Sequence, residues 1–245
     1  MMWAVIGGSG ALPLLHGFEP ADLPASRYGQ PSTPLSCGRI GGQEVVYLPR
    51  HGNPHRIAPH LINYCANIDV LCSLEVRGVV ALNTVGGITG DAEAGCIFVP
   101  DQIIDYTWGR AHTFCHDERL IHADFAEPLD EVLRLGLVDA ARSAGVEITD
   151  GGVYGCTQGP RFETAAEIER MARDGCDLVG MTGMPEAALA RERGLAYAML
   201  SLVVNPAAGR AVNPFDMAVI AQVAEEGMER VAQVLAAFFA ALPTS

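Results

Sequence analysis

Residues 159–205 read GPRFETAAEIERMARDGCDLVGMTGMPEAALARERGLAYAMLSLVVN. The pattern predicts a Gly-Pro loop, an amphipathic helix, a short apolar strand, a turn, a second helix and a buried strand that ends in Asn205. Apolar strands that alternate with helices are typical of an α/β sheet covered on both faces. In such sheets ligands bind beyond the carboxyl ends of the strands, so polar residues at these element edges are candidates for a binding site.

The rest of the chain continues this alternation. Strands are predicted at 3–6, 35–40, 44–48, 79–82, 97–99 and 153–156, and helices at 59–76 and 130–144. Gly41 and Gly42 separate two of the strands, which predicts a hairpin. Because the sequence shows no internal repeat or linker, we expect one α/β domain that spans residues 1–245.

Composition excludes several classes of partner. The 245 residues carry a formal net charge of −13, which argues against nucleic acid or an anionic membrane as the partner. No apolar run reaches transmembrane length, and the first ten residues do not read as a signal peptide. The seven cysteines form no CxxC pair, which favours reduced thiols and a cytoplasmic location.

The first strand leads into the glycine turn Gly7-Gly8-Ser9-Gly10. Backbone amides and the Ser9 hydroxyl suit a phosphate group there, although a plain tight turn has the same sequence. The dinucleotide-binding fingerprint needs a further glycine at the position that Pro13 occupies, so that interpretation fails.

The strand at 44–48 leads into Arg50 and His51 within a Gly-Pro loop. Arginine offers a planar fork of donors, so this loop is a second candidate for an anion site. His51, His55 and His60 lack the spacing of a metal site, and we expect no metal.

Taken together, the motifs resemble the trimeric purine nucleoside phosphorylase and methylthioadenosine phosphorylase family. They are Gly7-Gly8-Ser9-Gly10, Arg50-His51-Gly52, Asn63-Tyr64 with Ala66-Asn67, Asn83-Thr84-Val85-Gly86-Gly87, Gly159-Pro160-Arg161-Phe162-Glu163-Thr164 and Gly180-Met181-Thr182 with Met184-Pro185-Glu186. The resemblance implies a single α/β domain with a mixed, distorted central sheet flanked by helices, assembled as a homotrimer. It also implies phosphorolysis of an N-ribosidic bond, with inorganic phosphate as co-substrate and no cofactor.

The resemblance assigns a role to each matching position. Phosphate contacts correspond to Ser9, Arg50, His51, Thr84 and Thr182, of which His51 is also a candidate catalytic residue. Base and ribose contacts correspond to Val85, Gly86, Phe162, Glu163, Val179 and Met181. The 5′ end of the ribose corresponds to Met217 and to His122, the latter contributed by a neighbouring subunit.

Three positions predict whether the site binds adenine or a 6-oxopurine. Adenine-directed members carry two aspartates where this chain has Asn205 and Ala207. The Asn205 amide can donate to purine N7 and to a 6-oxo oxygen, which makes it the candidate that stabilises the leaving base. A carboxylate at Glu163 accepts from the N1–H of a 6-oxopurine, whereas adenine has no hydrogen at N1. The three positions therefore predict a 6-oxopurine.

Met217 predicts which substituent the ribose carries at its 5′ position. Members that act on ordinary nucleosides present a histidine to the 5′-hydroxyl, whereas a thioether suits a 5′-methylthio group. The combination predicts 5′-methylthioinosine as substrate, with hypoxanthine and 5-methylthioribose 1-phosphate as products. A general inosine/guanosine phosphorylase, a methylthioadenosine phosphorylase and a non-catalytic nucleotide-binding module are the alternatives.

Overall fold

A computed structural model describes residues 2–8, 13–22, 24–115, 120–211 and 216–243. Its strands are β1 (Trp3–Gly7), β2 (Glu19–Pro20), β3 (Ser36–Ile40), β4 (Gln43–Pro49), β5 (Gly78–Gly87), β6 (Ile97–Val99), β7 (Gln102–Asp105), β8 (Thr149–Asp150), β9 (Val153–Cys156), β10 (Leu178–Gly180) and β11 (Ala196–Pro206). Its α-helices are α1 (Tyr64–Ser73), α2 (Glu131–Ala144), α3 (Ala165–Arg173), α4 (Gly183–Glu192) and α5 (Met217–Ala241). Short 3-10 helices cover Pro13–Leu15 and Pro59–Leu61.

The strands form one mixed sheet. β1 lies between β4 and β5 and is parallel to both, and β11 is parallel to β5 over its whole length. β10 runs antiparallel to β5 but parallel to β9, so strand direction changes at the centre of the sheet. The α/β fold with a mixed sheet and flanking helices is therefore confirmed.

Side chains alternate across the sheet and supply two cores. On β1, Ala4 and Ile6 pack in the core beside α1 and α4, whereas Val5 packs on the opposite face beside α2 and α5. This two-sided burial explains why the strands read as continuous apolar runs. Within the described residues, no helix is long and apolar enough to cross a membrane.

Local signals set several boundaries as predicted. Gly41 and Gly42 have φ values of 55° and 86° at the β3–β4 turn, where a side chain would be strained. Helix α2 begins after Asp130, whose side chain accepts from the Leu133 amide, and it ends at Gly145 in the left-handed conformation.

Two predicted boundaries are wrong. The segment 59–76 is not one helix, because the Asn63 side chain caps a new helix by accepting from the Ala66 amide. Strand β5 does not stop at Leu82 but continues to Gly87, because β11 and β10 pair with its polar, glycine-rich end. Long-range pairing of this kind overrides local propensity.

Candidate active site

A cavity of about 730 Å³ lies where β5, β10 and β11 meet the loop after β4. It is lined by most of the residues that the sequence assigned to the site: Arg50, His51, Thr84, Val85, Gly86, Phe162, Glu163, Val179, Met181, Thr182, Asn205, Ala207 and Met217. These positions range from residue 50 to residue 217 of the sequence, and the fold brings them to one place.

Two assigned residues are not among the residues that line this cavity. Ser9 lies outside the described residues, although Gly8 beside it does line the cavity. His122 is exposed on the surface and does not line the cavity of its own chain.

Arg50 forms the floor of one end. Its Nε and Nη2 donate to the two Glu186 carboxylate oxygens at 2.7 Å each, and Nη1 donates to the Leu82 carbonyl at 3.0 Å. Both side chains of this ion pair are 0% exposed. Burial lowers the pKa of the guanidinium, but the pairing with Glu186 outweighs it and the pKa is raised overall, so Arg50 stays charged.

Three of the five guanidinium hydrogens are engaged in these bonds, which leaves one on each of Nη1 and Nη2 without a partner in the described part of the chain. Gly8 permits a close approach of the backbone to Arg50, since a Cβ there would lie 3.2 Å from Arg50 Nη1. Gly8 and the Arg50 fork therefore meet at one end of the cavity.

His51 is held in a single tautomer. Its Nδ1 lies 2.8 Å from the Ile57 carbonyl and donates to it, and its ring stacks on His55 with centroids 4.2 Å apart. Burial lowers the pKa of His51 to about 4, against a smaller raising effect of the Ile57 carbonyl, and nearby Arg50 lowers it further. The imidazole is thus neutral at pH 7 and presents Nε2 as an acceptor.

Thr182 and Asn83 complete this end. Thr182 precedes helix α4 and its Oγ1 donates to Asn83 Oδ1 at 3.1 Å. The Asn83 side chain is buried, and its Nδ2 has no hydrogen-bond partner among the described residues. A free amide donor beside a helix N-terminus favours an anionic ligand. The sequence-based assignment gives Asn83 no role of its own, only a place as the first residue of the motif that follows the predicted strand 79–82.

The opposite end of the cavity is lined by closely packed residues of β5 and β10. Gly86 lies against Val179, since a Cβ on Gly86 would come within 3.1 Å of Val179 Cγ1. Val85 and Ala207 are also buried here, and Phe162 is 47% exposed at the rim. The half-buried Glu163 carboxylate accepts from Thr157 Oγ1 at 2.6 Å.

A β-bulge brings Asn205 to this end of the cavity. The pairing of β11 with β5 shifts between Val203 and Asn205, so that Val203 lies opposite Val85 and Asn205 lies opposite Gly86. Val204 and Asn205 both line the cavity, whereas neighbours in an unbroken strand point to opposite faces. Asn205 Nδ2 donates to the Pro206 carbonyl at 2.7 Å, which uses one of its two hydrogens.

Met217 lies where the wall is apolar. It begins α5 directly after its N-cap Asp216, and its side chain is 63% exposed. Ile220, Ala221 and Ala224 of the same helix also line the cavity.

Arg110 was missed by the sequence-based prediction. It is 8% exposed, and its guanidinium donates to the carbonyls of Thr157, Gln158 and Met184. It therefore connects the loop after β9 with the start of α4. The segment around it is irregular and histidine-rich, so local pattern gave no signal that this arginine is buried.

No group of three metal-binding side chains occurs among the residues that the structure describes. The seven cysteines are all free thiols, and burial raises the pKa of Cys156 to about 12.

Proteins of known name and known structure resemble this chain over nearly its whole length. It is 49% identical over 242 residues to the probable S-methyl-5′-thioinosine phosphorylase of Pseudomonas syringae pv. tomato, covering 96% of this chain and 97% of the relative. It is 36% identical to the 6-oxopurine nucleoside phosphorylase of Pyrococcus furiosus, covering 98% and 92%. The structure of the Schistosoma mansoni methylthioadenosine phosphorylase in complex with adenine superposes with a TM-score of 0.91 at 29% identity, covering 98% and 91%.

A family model described as the phosphorylase superfamily matches residues 3–240. Together with these relatives and the shared fold, the match shows that this chain belongs to the phosphorylase superfamily, among enzymes of the purine nucleoside phosphorylase type.

Proposed function

We propose that the protein catalyses phosphorolysis of S-methyl-5′-thioinosine to hypoxanthine and 5-methylthioribose 1-phosphate. The observation that carries this proposal is the lining of one cavity by Glu163, Asn205 and Met217. The first two suit a 6-oxopurine, and the third suits an apolar 5′ substituent. The name of the Pseudomonas syringae relative supports the same substrate.

In this proposal phosphate binds at the Arg50 end. The free hydrogens of Arg50 and of the Asn83 amide donate to its oxygens, and Thr182 lies beside them with its hydroxyl donating to Asn83 Oδ1, which orients that amide. Ser9 lies next to Gly8 in sequence and contributes its hydroxyl, and Thr84 lines the same end. Because His51 is neutral with Nδ1 occupied, its Nε2 accepts the hydrogen of monohydrogen phosphate.

The reaction breaks the C1′–N9 bond and forms a bond between C1′ and a phosphate oxygen. The ribose passes through an oxocarbenium-like state, which Met181 packs beneath and the bound phosphate stabilises by its negative charge. The purine leaves with the bond electrons, and Asn205 stabilises it by donating to N7 while Glu163 holds N1–H. No cofactor takes part, since phosphate itself is the second substrate.

The walls of the end opposite Arg50 restrict the orientation of the base. Phe162 and Val179 enclose its faces, while Val85 and Gly86 contact one edge. Ala207 fills the position where an acidic side chain would recognise adenine, and its burial beside Val179 leaves this wall apolar.

The active unit in this proposal is a homotrimer in the cytoplasm, in which His122 of one subunit completes the 5′ end of a neighbour's cavity. The exposure of His122 supports this arrangement. Trp108 and Leu120 lie in the same irregular segment between β7 and α2, and they are 73% and 75% exposed. Exposed apolar side chains of this size are typical of subunit contacts. Light scattering measures the oligomer, and a monomer of full activity would contradict the arrangement.

The substrate is tested by comparing kcat/KM for S-methyl-5′-thioinosine, inosine and S-methyl-5′-thioadenosine at saturating phosphate. We expect the first to be the best substrate and release of hypoxanthine to require phosphate. A higher value for S-methyl-5′-thioadenosine would overturn the base assignment. A higher value for inosine would overturn the 5′ assignment and favour a general inosine/guanosine phosphorylase.

A non-catalytic nucleotide-binding module is the alternative of a different class. Arg50 and Asn83, with free donors beside Thr182, speak against it, because a module without catalysis would not need to keep the residues that hold a phosphate co-substrate. Absence of phosphate-dependent release of the base from all three nucleosides, hypoxanthine from the two inosine compounds and adenine from S-methyl-5′-thioadenosine, would favour it.

A further inference from the structure

The Glu163 carboxylate has one oxygen already engaged. Thr157 Oγ1 lies 2.6 Å from Glu163 Oε1 and 3.3 Å from the Gly180 carbonyl. A hydroxyl has a single hydrogen, and the shorter contact to a carboxylate is the stronger one. Thr157 therefore donates to Glu163, which leaves Oε2 as the oxygen with its full accepting capacity.

This arrangement is built into the framework. The Thr157 amide donates to the Gly180 carbonyl at 2.8 Å, and the Thr157 carbonyl accepts from Arg110 Nη2 at 3.2 Å. Arg110 is itself nearly buried and is fixed by further bonds to Gln158 and Met184. The Thr157 hydroxyl is thus held at Glu163 by contacts on both sides of its residue.

The 6-oxopurines differ in the number of hydrogen bonds that they can donate to such a carboxylate. Hypoxanthine presents N1–H alone and needs one oxygen. Guanine presents N1–H and a hydrogen of its 2-amino group side by side, a pair that matches both oxygens of a carboxylate at once. With Oε1 engaged by Thr157, the second contact of guanine is weakened and the buried amino group loses hydrogen bonding to water.

We propose that Thr157 is a specificity-determining residue that makes the site select hypoxanthine nucleosides over guanine nucleosides. The inference rests on the proposed function, in that it assumes that Glu163 contacts N1 of the purine. Beyond the proposed function, it states that the site distinguishes hypoxanthine from guanine and that the Thr157 hydroxyl is responsible.

The test compares kcat/KM for S-methyl-5′-thioinosine and S-methyl-5′-thioguanosine, which differ only at position 2. Wild-type protein is expected to prefer the first by at least about 10-fold, the size that one hydrogen bond to a charged group gives. Thr157→Val keeps the shape but removes the hydroxyl, and we expect it to shift the ratio toward the guanine nucleoside by about 10-fold. Thr157→Ser keeps the hydroxyl and is expected to restore the wild-type ratio.

A purely structural role for Thr157 predicts that both substrates lose activity equally in Thr157→Val, and an unchanged ratio would overturn the proposal. Equal rates in the wild-type protein would overturn it without any variant, whether or not Thr157→Val folds. Failure of the proposed function has a separate signature, because wild-type protein would then release base from neither nucleoside or would prefer S-methyl-5′-thioadenosine.

Discussion

The two ends of the cavity are built differently. At the Arg50 end the charged groups are buried and already paired, as Arg50 is with Glu186 at 0% exposure. At the opposite end two of the lining side chains stand at the rim, with Phe162 47% and Met217 63% exposed. The first end depends on the interior of the fold, and the second depends on a few side chains at its edge.

This difference indicates how each end responds to change. A substitution at the buried end disturbs an ion pair and the elements it connects, so stability and activity change together. A substitution at the rim disturbs a contact with the ligand alone, so specificity changes while the fold is kept.

The largest effect is expected from Glu186→Gln. The change leaves the Arg50 guanidinium buried without its countercharge, and the free energy of unfolding should fall by about 3–5 kcal/mol, as measured by urea denaturation. The matched control is Asp139→Asn, which breaks a pair with Arg142 whose side chains are 72% and 74% exposed, and it should cost less than about 1 kcal/mol. Equal effects of the two variants would show that burial does not set the cost.

Asn205→Asp should change base selection at the rim. An aspartate places an acceptor opposite the 6-oxo oxygen and, when protonated, a donor at N7 of adenine. The ratio of kcat/KM for S-methyl-5′-thioadenosine to that for S-methyl-5′-thioinosine should rise by at least about 10²-fold, because mismatched buried polar groups are costly. The free energy of unfolding should change little, which separates the effect from that of Glu186→Gln. An unchanged ratio would remove Asn205 as the selecting residue.

Met217→His should change selection at the 5′ end. The imidazole offers the 5′-hydroxyl a hydrogen bond and replaces the thioether that suits a methylthio group. The preference for S-methyl-5′-thioinosine over inosine should fall by about 10-fold. Val219→His is the control, since Val219 lies on the same helix and is 55% exposed but does not line the cavity described above. Equal shifts in both variants would contradict the assignment of Met217.

The smallest effect is the one that the protonation of His51 has on the free energy of unfolding as pH falls. Burial lowers its folded-state pKa to about 4 from 6.5, so in acid the unfolded chain binds a proton that the folded protein refuses. The contribution of His51 to stability is therefore complete above pH 6.5 and is lost as pH falls toward 4, by at most about 1.4 kcal/mol per pH unit. Urea denaturation of the wild-type protein and of His51→Gln at pH 7, 6 and 5 should show a steeper loss of stability in the wild type, since His55, whose pKa burial also lowers, contributes equally to both. Parallel curves would contradict the buried, neutral state of His51.

Much of the site could be predicted because strand ends have recognisable sequences. Arg50 follows an apolar run, and Asn205 ends another, so each could be assigned to an element edge before the fold was known. The partners of these residues could not be predicted. Glu186 reads as one of many helix carboxylates, and only the packing of α4 against the sheet places it on Arg50.

The sequence by itself determined the α/β class, the turn at Gly41 and Gly42, the caps of α2 and the chemical types at the site. These depend on hydrophobic period, on backbone conformation and on side-chain chemistry, all of which are local. The tertiary structure alone decided the length of β5, the bulge that aims Asn205 at the cavity, the tautomer of His51 and the contacts of Arg110 and Thr157. Each of these depends on a hydrogen bond or a strand pairing between segments whose meeting no local pattern encodes.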